Sequence, residues 1–350
     1  MRKRFDVVVV GGGPSGAISS YLLTQQGLNV CLLERRQSNN SFSRWPKVDT
    51  LPPKSVRLLE NIGLKEVLIK AGSQECPGVV SFWDGQKVES DHLLSPDGLG
   101  WHVNRYHFDH QLIARLRQTN AVVLSGAMAK DVVRSETGFD VLLDEEGHNC
   151  VSTRYLIDAT GMFSNLANKL GFEKTFEIKR VAARTIVNLT GQASDHRLYV
   201  EQTENGWWYS VPYDKQRLQV TFVSRPSFFS ENSNWKRRLN DESRMLRCLP
   251  PRDFYNAFDN LRSAPAHSGI LRNLVSKGFI AVGDAAFSID PLSGQGLYHA
   301  IKSALDATRS ITSDNCGVEN AFRVFENSIR IRYKELMKIW STFNKNRARY

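Results

Sequence analysis

Two apolar segments near the start of the chain flank a helix-like segment and predict a strand–helix–strand unit. Phe5–Val10 is a continuous apolar run, which is typical of a buried parallel strand. Pro14–Gln26 has apolar residues at helical spacing and is followed by Gly27, a common helix terminator. Asn29–Glu34 is again strand-like. We therefore expect a βαβ unit at the beginning of an α/β fold.

The remaining apolar segments extend this pattern to a larger α/β fold that includes α+β elements. Helices are predicted at Pro52–Ile62, Phe108–Gln118, Leu297–Ile311 and from Val318 onward. Strands are predicted at Ala121–Leu124, Met128–Val133, Phe139–Leu143, Tyr155–Asp158 and Phe279–Val282, with a hairpin turn at Glu145–Gly147. The alternating, aromatic-rich sequence from about Phe176 to Val223 predicts an antiparallel sheet in a second domain.

A glycine-rich motif between the first strand and the first helix indicates a dinucleotide site. In this arrangement Gly11 permits a tight turn, Gly13 lets the backbone approach a pyrophosphate, and Gly16 lets the helix pack closely on the strand. Glu34 follows Gly16 by 18 residues, where an acceptor for ribose hydroxyls is expected. The combination predicts a Rossmann-type domain whose first helix directs its N-terminus at phosphates.

Two later motifs favour FAD over NAD as the dinucleotide. Asp284 follows a predicted strand, where its carboxylate can bind ribityl hydroxyls. The segment Pro291–Gly296 precedes a helix, whose positive end can stabilise the negative charge that collects on the flavin during reduction. An ordinary strand–turn–helix with an N-capping acid explains Asp284, but it does not explain the glycines and the proline around it.

The motifs lie in separate parts of the chain, so the nucleotide domain is assembled from several segments. We predict a Rossmann-type FAD-binding domain at 1–75, 101–175 and 265–312. An inserted antiparallel-sheet substrate domain is expected at 76–100 and 176–264, followed by a C-terminal helical segment at 313–350. A second glycine motif for NADPH is not found, so NAD(P)H or another reductant would act without a domain of its own.

Composition adds a basic surface to this picture. The 350 residues carry a net charge of +10, with small basic clusters at Lys236–Arg238 and in the tail (Lys345, Arg347, Arg349). Such a charge favours an acidic partner protein over nucleic acid, because no nucleic-acid module accompanies it, although a solvated basic surface explains it equally well. No apolar run approaches the roughly 20 residues that span a bilayer, so no membrane association is expected.

Five scattered cysteines give neither a disulfide framework nor a metal site. They are Cys31, Cys76, Cys150, Cys248 and Cys316, and none belongs to a Cys-x-x-Cys pair. A reducing, cytoplasmic location is the corresponding expectation.

The motifs together resemble the flavin monooxygenases built like para-hydroxybenzoate hydroxylase, over almost the whole chain. The segment Arg105–Asp109 resembles the Arg-x-x-Phe-Asp element of that group, whose arginine lies by the cofactor. Asp158–Gly161 resembles its second nucleotide-contacting turn, and the same likeness implies that the backbone near Ala129 meets the adenine. The predicted FAD-contacting residues are therefore Gly11, Gly13, Pro14, Ser15, Gly16, Glu34, Arg35, Arg105, Ala129, Asp158, Gly161, Gly283, Asp284, Pro291, Gly294, Gln295 and Gly296.

Within this group, Lys47–Pro53 and Leu58–Leu64 look most like a narrower branch. That branch contains tryptophan-halogenase-like enzymes and the flavoproteins that mature protein-derived quinone cofactors in partner amino-acid oxidases such as glycine oxidase. The chain departs from the pattern of the branch at Val48-Asp49, where Gly-Glu is usual. It also departs from the halogenases: tyrosine replaces the second tryptophan of their motif at Tyr209, and Val79 stands where their lysine is expected.

No catalytic residue is assigned by the sequence. Candidates for the substrate side are Lys47, Asp49, Trp207 and Tyr209. Aromatic residues in a sheet more often belong to a core than to a substrate platform, and adjacent strand residues face opposite sides, so Trp207 and Trp208 cannot both line one pocket. Lys47 and Asp49 are equally explained as a solvated loop pair.

The resemblance implies an FAD-dependent monooxygenase that uses molecular oxygen to hydroxylate a protein-bound tryptophan. The protein substrate would be the precursor of a quinoprotein amino-acid oxidase, and the reaction would be a post-translational step of cysteine tryptophylquinone biosynthesis. Alternatives are a hydroxylase, or less readily a halogenase, of a small aromatic metabolite, a flavin-dependent reductase of isoprenoid double bonds, and a non-catalytic flavin-bound maturation chaperone. Fold alone does not distinguish among these functions.

Overall fold

The computed structural model describes residues 3–37, 47–143, 149–189, 195–231 and 261–344, which divide into two compact units. Unit 1 comprises 1–43, 109–177 and 268–350, and unit 2 comprises 44–108 and 178–267. Each unit has its own central sheet, in accord with the α/β class and the second, antiparallel sheet expected from the sequence.

The helices of the described residues are α1 (Pro14–Gln25), α2 (Pro53–Asn61), α3 (Lys65–Lys70), α4 (Arg105–Leu116), α5 (Asn165–Lys169), α6 (Pro226–Glu231), α7 (Gly296–Asn315) and α8 (Ala321–Asn344). The strands are β1 (Lys3–Val10), β2 (Val30–Glu34), β3 (Val48–Leu51), β4 (Gln74–Cys76), β5 (Gly78–Trp83), β6 (Gln86–Asp91), β7 (Gly100–Asn104), β8 (Val122–Ser125), β9 (Asp131–Ser135), β10 (Gly138–Leu142), β11 (Cys150–Asp158), β12 (Lys174–Ile178), β13 (Val181–Asn188), β14 (Leu198–Gln202), β15 (Gly206–Pro212), β16 (Arg217–Ser224), β17 (Arg262–Pro265), β18 (Ser268–Leu271), β19 (Val275–Ser276), β20 (Phe279–Ala281) and β21 (Phe287–Ser288).

Unit 1 is built on a mainly parallel sheet with the order β19-β20-β11-β1-β2-β8. Strand β1 lies in the middle, between β11 and β2, and Val7, Val8 and Val9 are completely buried. A strand that is covered on both faces reads as an unbroken apolar run, which is why its sequence shows no alternation. Helices α1 and α7 pack against each other in this unit, and α7 packs on α8.

Two glycines let α1 approach the end of β1. A Cβ atom on Gly16 would lie 1.9 Å from the carbonyl oxygen of Gly11, and one on Gly11 would lie 2.3 Å from the carbonyl oxygen of Ala159. Gly11 also has a φ of +111°, which side chains rarely permit. The turn therefore requires glycine at both positions, as the motif predicts.

Unit 2 is built on a seven-stranded sheet with the order β17-β13-β16-β15-β14-β5-β6. Its pairs are antiparallel apart from β14 with β5. One face of the sheet carries a core cluster of Val187, Trp208, Val220, Phe222 and Phe228. A smaller sheet, β3-β7-β4, belongs to the same unit.

The boundaries of the two units differ from those of the predicted domains because of the pairing of β3 and β4 with β7. Residues 44–75 and 101–108, expected in the nucleotide domain, group with unit 2 because β3 and β4 both pair with β7. The two units follow backbone contacts, whereas the predicted domains follow cofactor and substrate binding, so the functional domains stay a prediction. The C-terminal helix α8 groups with unit 1.

Most predicted elements occur at their expected places, with shifted ends. The strand expected from Met128 begins at Asp131, because Gly126, with a φ of +81°, turns the chain out of β8 and residues 127–130 form a loop. The hairpin turn at 145–147 and the basic clusters at 236–238 and 345–349 lie outside the described residues. Among the described helices, none has the length and apolar character needed to cross a bilayer.

The space around Gly16 leads to a stability prediction. We expect Gly16→Ala to destabilise the protein by about 3 kcal/mol, because the added methyl group collides with rigid backbone rather than with a flexible side chain. The melting temperature, measured by circular dichroism, should fall by roughly 10 °C. Gly13→Ala, compared in the FAD-free protein, is the matched control: its Cβ meets nothing within 4 Å and its φ of −72° suits alanine, so its melting temperature should fall far less than that of Gly16→Ala. Equal melting temperatures for the two variants would contradict the conclusion that α1 packs too closely on Gly11 to allow a side chain at position 16.

Candidate functional site

The carboxyl ends of the parallel strands bring most of the predicted cofactor residues to one edge of unit 1. Val10 of β1 lies opposite both Asp158 of β11 and Leu33 of β2, and Asp158 lies opposite Ala281 of β20. The glycine turn, Glu34, the 159–161 turn and the 283–285 turn therefore follow the strands at this shared edge. Ligands of open α/β sheets bind at this edge.

Glu34 is held against the glycine turn by two backbone donors. The N–H of Gly12 donates to Oε2 at 2.7 Å, and the N–H of Arg36 donates to Oε1 at 2.9 Å. Each carboxylate oxygen keeps a further lone pair, so the group can still accept a hydrogen bond from a hydroxyl. Arg35 is exposed beside it, and Ala129 is buried in the loop that follows the neighbouring strand β8.

Open space lies in front of four glycines of unit 1, two in the turns at this edge and two at the start of α7. A Cβ atom on Gly13, Gly161, Gly294 or Gly296 would meet no atom within 4 Å, in contrast to the close contacts at Gly11 and Gly16. Two of them stand at helix starts: Gly13 is the N-cap of α1, and Gly296 is the first residue of α7. A flat or anionic group can thus approach backbone N–H groups at both helices, which is the space that a dinucleotide with a flavin ring requires.

Asp158 is a structural residue of the 159–161 turn. Its Oδ1 accepts hydrogen bonds from the N–H and the hydroxyl of Thr160, at 2.9 and 2.7 Å, and Oδ2 accepts the N–H of Ala167 at 2.8 Å. The carboxyl is completely buried, and burial raises its pKa. The carboxylate of Asp158 thus shapes the turn from inside the protein, and the predicted contact of Asp158 with the cofactor stays a prediction.

The 283–285 turn presents Asp284 outward. Gly283 has a φ of +57°, and its N–H donates to the Ser303 hydroxyl of α7 at 2.8 Å. Asp284 is exposed, while the flanking Gly283 and Ala285 are buried. Lys174 of β12 donates to the backbone carbonyl of Asp284, and burial lowers the pKa of this ammonium to about 8 despite the nearby aspartates.

A capped turn leads into α7. Asp290, which is 1% exposed, accepts the N–H of Leu292 at 3.0 Å, and its own N–H donates to Ser268 at 2.8 Å. The turn from Pro291 ends at Gly294 with a φ of +61°, and Gln295 is the N-cap of α7. Asp290 was not singled out by the sequence analysis, although an acid directly before a proline is a usual N-cap signal.

A buried histidine links the C-terminal helix to the 283–285 turn. His299 Nε2 lies 3.0 Å from the carbonyl oxygen of Gly283, and since a carbonyl only accepts, Nε2 carries the hydrogen. Its other ring nitrogen faces Arg332 Nη1 of α8 at 3.5 Å, and Arg332 also pairs with Asp306 at 2.8 Å. The ring stacks on Phe287 with centroids 3.6 Å apart. Burial, aided by Arg332, lowers the pKa of His299 to about 3. Neither His299 nor Arg332 carries a sequence signal, because the partners come from different helices.

In unit 2, the predicted residues Lys47, Asp49 and Arg105 form one ionic cluster. Lys47 Nζ and Arg105 Nη1 both contact Oδ2 of Asp49, at 2.8 and 2.9 Å. Burial opposes ionisation of Asp49, but the two cations outweigh it and lower the pKa of the carboxyl to about 2. Lys47 and Asp49 are therefore joined to a third residue rather than forming an isolated loop pair. The predicted role of Arg105 at the cofactor stays a prediction.

The aromatic candidates divide between the two faces of the unit 2 sheet. Trp208 belongs to the buried core cluster and packs on Phe222 at 4.7 Å between ring centroids. Trp207 and Tyr209 point to the other face, where their rings stack at 5.5 Å. The alternation of strand residues therefore separates Trp207 from Trp208, as the sequence analysis expects.

The pKa of His299 leads to a prediction for stability against pH. The unfolded chain binds a proton at His299 below about pH 6.5, whereas the folded chain resists protonation down to about pH 3. The His299 contribution to the free energy of unfolding is thus complete above pH 6.5 and is lost as the pH falls toward 3. We expect His299→Gln, which can still donate to Gly283, to lose less stability than the parent between pH 7 and 4.5 in urea titrations. Parallel losses in both proteins would contradict a neutral, buried His299.

Comparison with known proteins shows the family of the chain. A model of the FAD-binding domain matches residues 4–313. The putative FAD-dependent oxidoreductase LodB of Marinomonas mediterranea is 28% identical over 325 residues, which cover 89% of this chain and 85% of LodB.

Two solved structures show the same fold at lower identity. The myxobacterial chondrochloren halogenase CndH gives a TM-score of 0.84 at 21% identity, with 97% of this chain and 82% of that chain covered. The peptidyl tryptophan dihydroxylase QhpG, essential for tryptophylquinone cofactor biogenesis, gives 0.77 at 20% identity, with 99% and 76% covered. Since the family model spans most of the residues, including both glycine-lined helix starts, the chain belongs to the FAD-binding domain family of oxidoreductases, monooxygenases and halogenases.

Proposed function

We propose that this flavoenzyme is a monooxygenase that hydroxylates a tryptophan side chain of a partner polypeptide, the precursor of a tryptophylquinone amino-acid oxidase. The observation that carries the proposal is the residue at the halogenase lysine position. It is Val79, which pairs with Leu198 of β14 and Ser90 of β6 within the unit 2 sheet. A valine side chain cannot capture an oxidised halide, so the oxygen atom goes to the substrate directly. The fold shared with QhpG, described as a peptidyl tryptophan dihydroxylase, is in accord with such a substrate.

The residues of unit 1 fit FAD in distinct roles. The glycine turn and the start of α1 would hold the diphosphate, with Gly13 giving the backbone access and Pro14, Ser15 and Gly16 beginning the helix. Glu34 would accept a ribose hydroxyl, and the exposed Asp284 a ribityl hydroxyl. The open space at Gly294 and Gly296 would receive the ring system at the positive end of α7.

Reduced FAD supplies the two electrons with which molecular oxygen is activated. In the overall reaction one oxygen atom enters an aromatic C–H bond and the other leaves as water, with the electrons coming from NAD(P)H or another reductant. The protein's own contribution is to bind the ring, exclude water and stabilise negative charge. A separate catalytic base is not required by this chemistry.

The aromatic pair of unit 2 is the part of the chain that suits an electron-rich ring. Trp207 is 4% exposed and Tyr209 is partly exposed, so Trp207 supports the ring of Tyr209 from behind and Tyr209 provides the accessible part of the stack. Burial raises the pKa of Tyr209 to about 12, so its hydroxyl stays protonated at neutral pH. A tryptophan side chain can pack on such a surface.

Halogenation is the second candidate, favoured by the fold shared with CndH. Co-expression with an oxidase precursor in the presence of bromide distinguishes the two candidates. Halogenation would give a brominated precursor, whereas hydroxylation would give an oxygenated one.

Arg332 provides a test of cofactor binding that does not depend on turnover. We expect Arg332→Leu to weaken FAD binding about tenfold, or ~1.4 kcal/mol, because His299 loses the contact that orients it toward Gly283. Affinity is measured by quenching of flavin fluorescence in the reconstituted apoprotein. The control is Arg323→Leu, an exposed arginine at the start of the same helix, which should bind FAD as the parent does. Equal affinity in both variants would show that α8 does not act on the cofactor site.

Co-expression with a candidate oxidase precursor tests the substrate. We expect mass spectrometry of the precursor to show one or two added oxygen atoms on a tryptophan, and none when that tryptophan is replaced by phenylalanine. An unmodified precursor together with oxygenation of a free indole or phenol would replace this proposal with a small-molecule hydroxylase. An unmodified precursor without oxygen consumption by the photoreduced enzyme would indicate a flavin-bound maturation chaperone.

A further inference from the structure

The aromatic face of the unit 2 sheet also carries a row of polar residues. Arg184 of β13 lies opposite Thr221 of β16, and Thr221 lies opposite Tyr209 of β15. Residues that pair directly across strands point to the same face, so the three side chains form one line. Burial raises the pKa of Tyr209, and the side chain of Thr221 acts against this effect through hydrogen bonding. The row runs beside the Trp207–Tyr209 stack.

A buried glutamine fixes the neighbouring strand β3 against this sheet. The side chain of Gln219 accepts the N–H of Val48 at 2.7 Å and donates to the carbonyl of Val48 at 3.0 Å. Gln219 is completely buried and also approaches the hydroxyl of Thr221 at 3.5 Å. Lys47 and Asp49, on either side of Val48, are thereby held near the polar row.

Electrostatic effects also connect the polar row of Arg184, Thr221 and Tyr209 with the ionic cluster of Lys47, Asp49 and Arg105. Burial lowers the pKa of Lys47, and the positive charges of Arg105 and Arg184 add to this effect. Burial raises the pKa of Tyr209, with contributions of opposite sign from Asp49 and Arg184. Arg184 is thus close to the ionic cluster described above.

The ionic cluster and Arg184 together carry more positive than negative charge. Asp49 already receives both Lys47 and Arg105 on a single oxygen. Arg184 is partly buried, its Nε is completely covered, and that Nε has no hydrogen-bond acceptor among the residues that the structure describes. Arginine is seldom buried without a counter-ion, and a covered Nε–H without an acceptor destabilises the folded protein. An anion bound at the accessible end of this guanidinium would relieve the excess charge.

We propose that unit 2 binds a carboxylate of the substrate through Arg184 and Lys47, beside the aromatic stack of Trp207 and Tyr209. The substrate class is an aromatic ring with a carboxylate near it. Following the proposed function, on which this inference rests, the carboxylate belongs to an aspartate or glutamate next to the modified tryptophan. A free aromatic acid has the same chemistry, and the two sources are separated by experiment. A planar guanidinium suits this role because it binds a carboxylate through two parallel hydrogen bonds.

The experiment measures binding rather than turnover, so that it is independent of hydroxylation. The probes are capped tetrapeptides with either Glu or Gln beside Trp, and indole-3-carboxylate with its neutral carboxamide, titrated into the FAD-loaded full chain by calorimetry. We expect the acidic member of one pair to bind at least about tenfold more tightly than the neutral member. In Arg184→Met this preference should disappear, and Arg184→Lys should restore part of it.

The control is Arg217→Met, which removes the same charge from an exposed arginine of β16 that pairs with Asp214. It should keep the full preference. Because Arg184→Met could affect folding, the parent protein supplies a second test: its preference should shrink as salt rises. Preference among the peptides identifies a polypeptide carboxylate, and preference among the indoles alone identifies a free aromatic acid.

Equal binding of the acidic and neutral probes in both pairs would overturn the proposal. So would an unchanged preference in a folded Arg184→Met protein. A clear preference combined with an unmodified oxidase precursor would instead leave the carboxylate site standing while the proposed hydroxylation fails.

Discussion

Two backbone segments approach each other closely in unit 1 where β1 ends, and the predicted cofactor site depends on this approach. Helix α1 can begin beside the sheet because Gly16 leaves room for the carbonyl of Gly11, and the turn can pass Ala159 because Gly11 has no side chain. This approach sets the direction of the α1 N-terminus and the position of Glu34 relative to the turn. If either glycine carried a methyl group, the turn or the start of the helix would have to shift, and the N–H groups that are predicted to bind phosphate would shift with it.

The second segment that is predicted to face the flavin, the 283–285 turn, is held in place by residues far from it in the chain. The 283–285 turn is tied to α7 through Ser303 and His299, and α7 is tied to α8 through Arg332 and Asp306. A neutral imidazole suits this position, because Nε2 donates to the carbonyl of Gly283 and the unprotonated Nδ1 can face the guanidinium of Arg332. The C-terminal helix thus contributes to the geometry of the 283–285 turn, and so to the predicted cofactor site, although it has no glycine motif.

Unit 2 combines two environments on opposite faces of one sheet. Trp208 and Phe222 fill an apolar core, whereas Trp207, Tyr209, Thr221 and Arg184 form a mixed face of rings and polar groups. The ionic cluster around Asp49 adds further positive charge near that face. Such a surface suits an aromatic group with an attached acid better than a long apolar chain, which argues against the reduction of isoprenoid double bonds.

The sequence by itself determined the βαβ unit, the two glycine-lined helix starts and the family, because these depend on local spacing: an apolar run, a turn without side chains and an acid at a fixed distance. It also separated Trp207 from Trp208, since alternation along a strand is local as well. The tertiary structure alone decided that Asp158 shapes a turn, that His299 and Arg332 support the 283–285 turn, and that Arg184 lies in line with Tyr209. These contacts join residues that are far apart in the chain, and strand register and helix packing, rather than spacing, determine which of them meet.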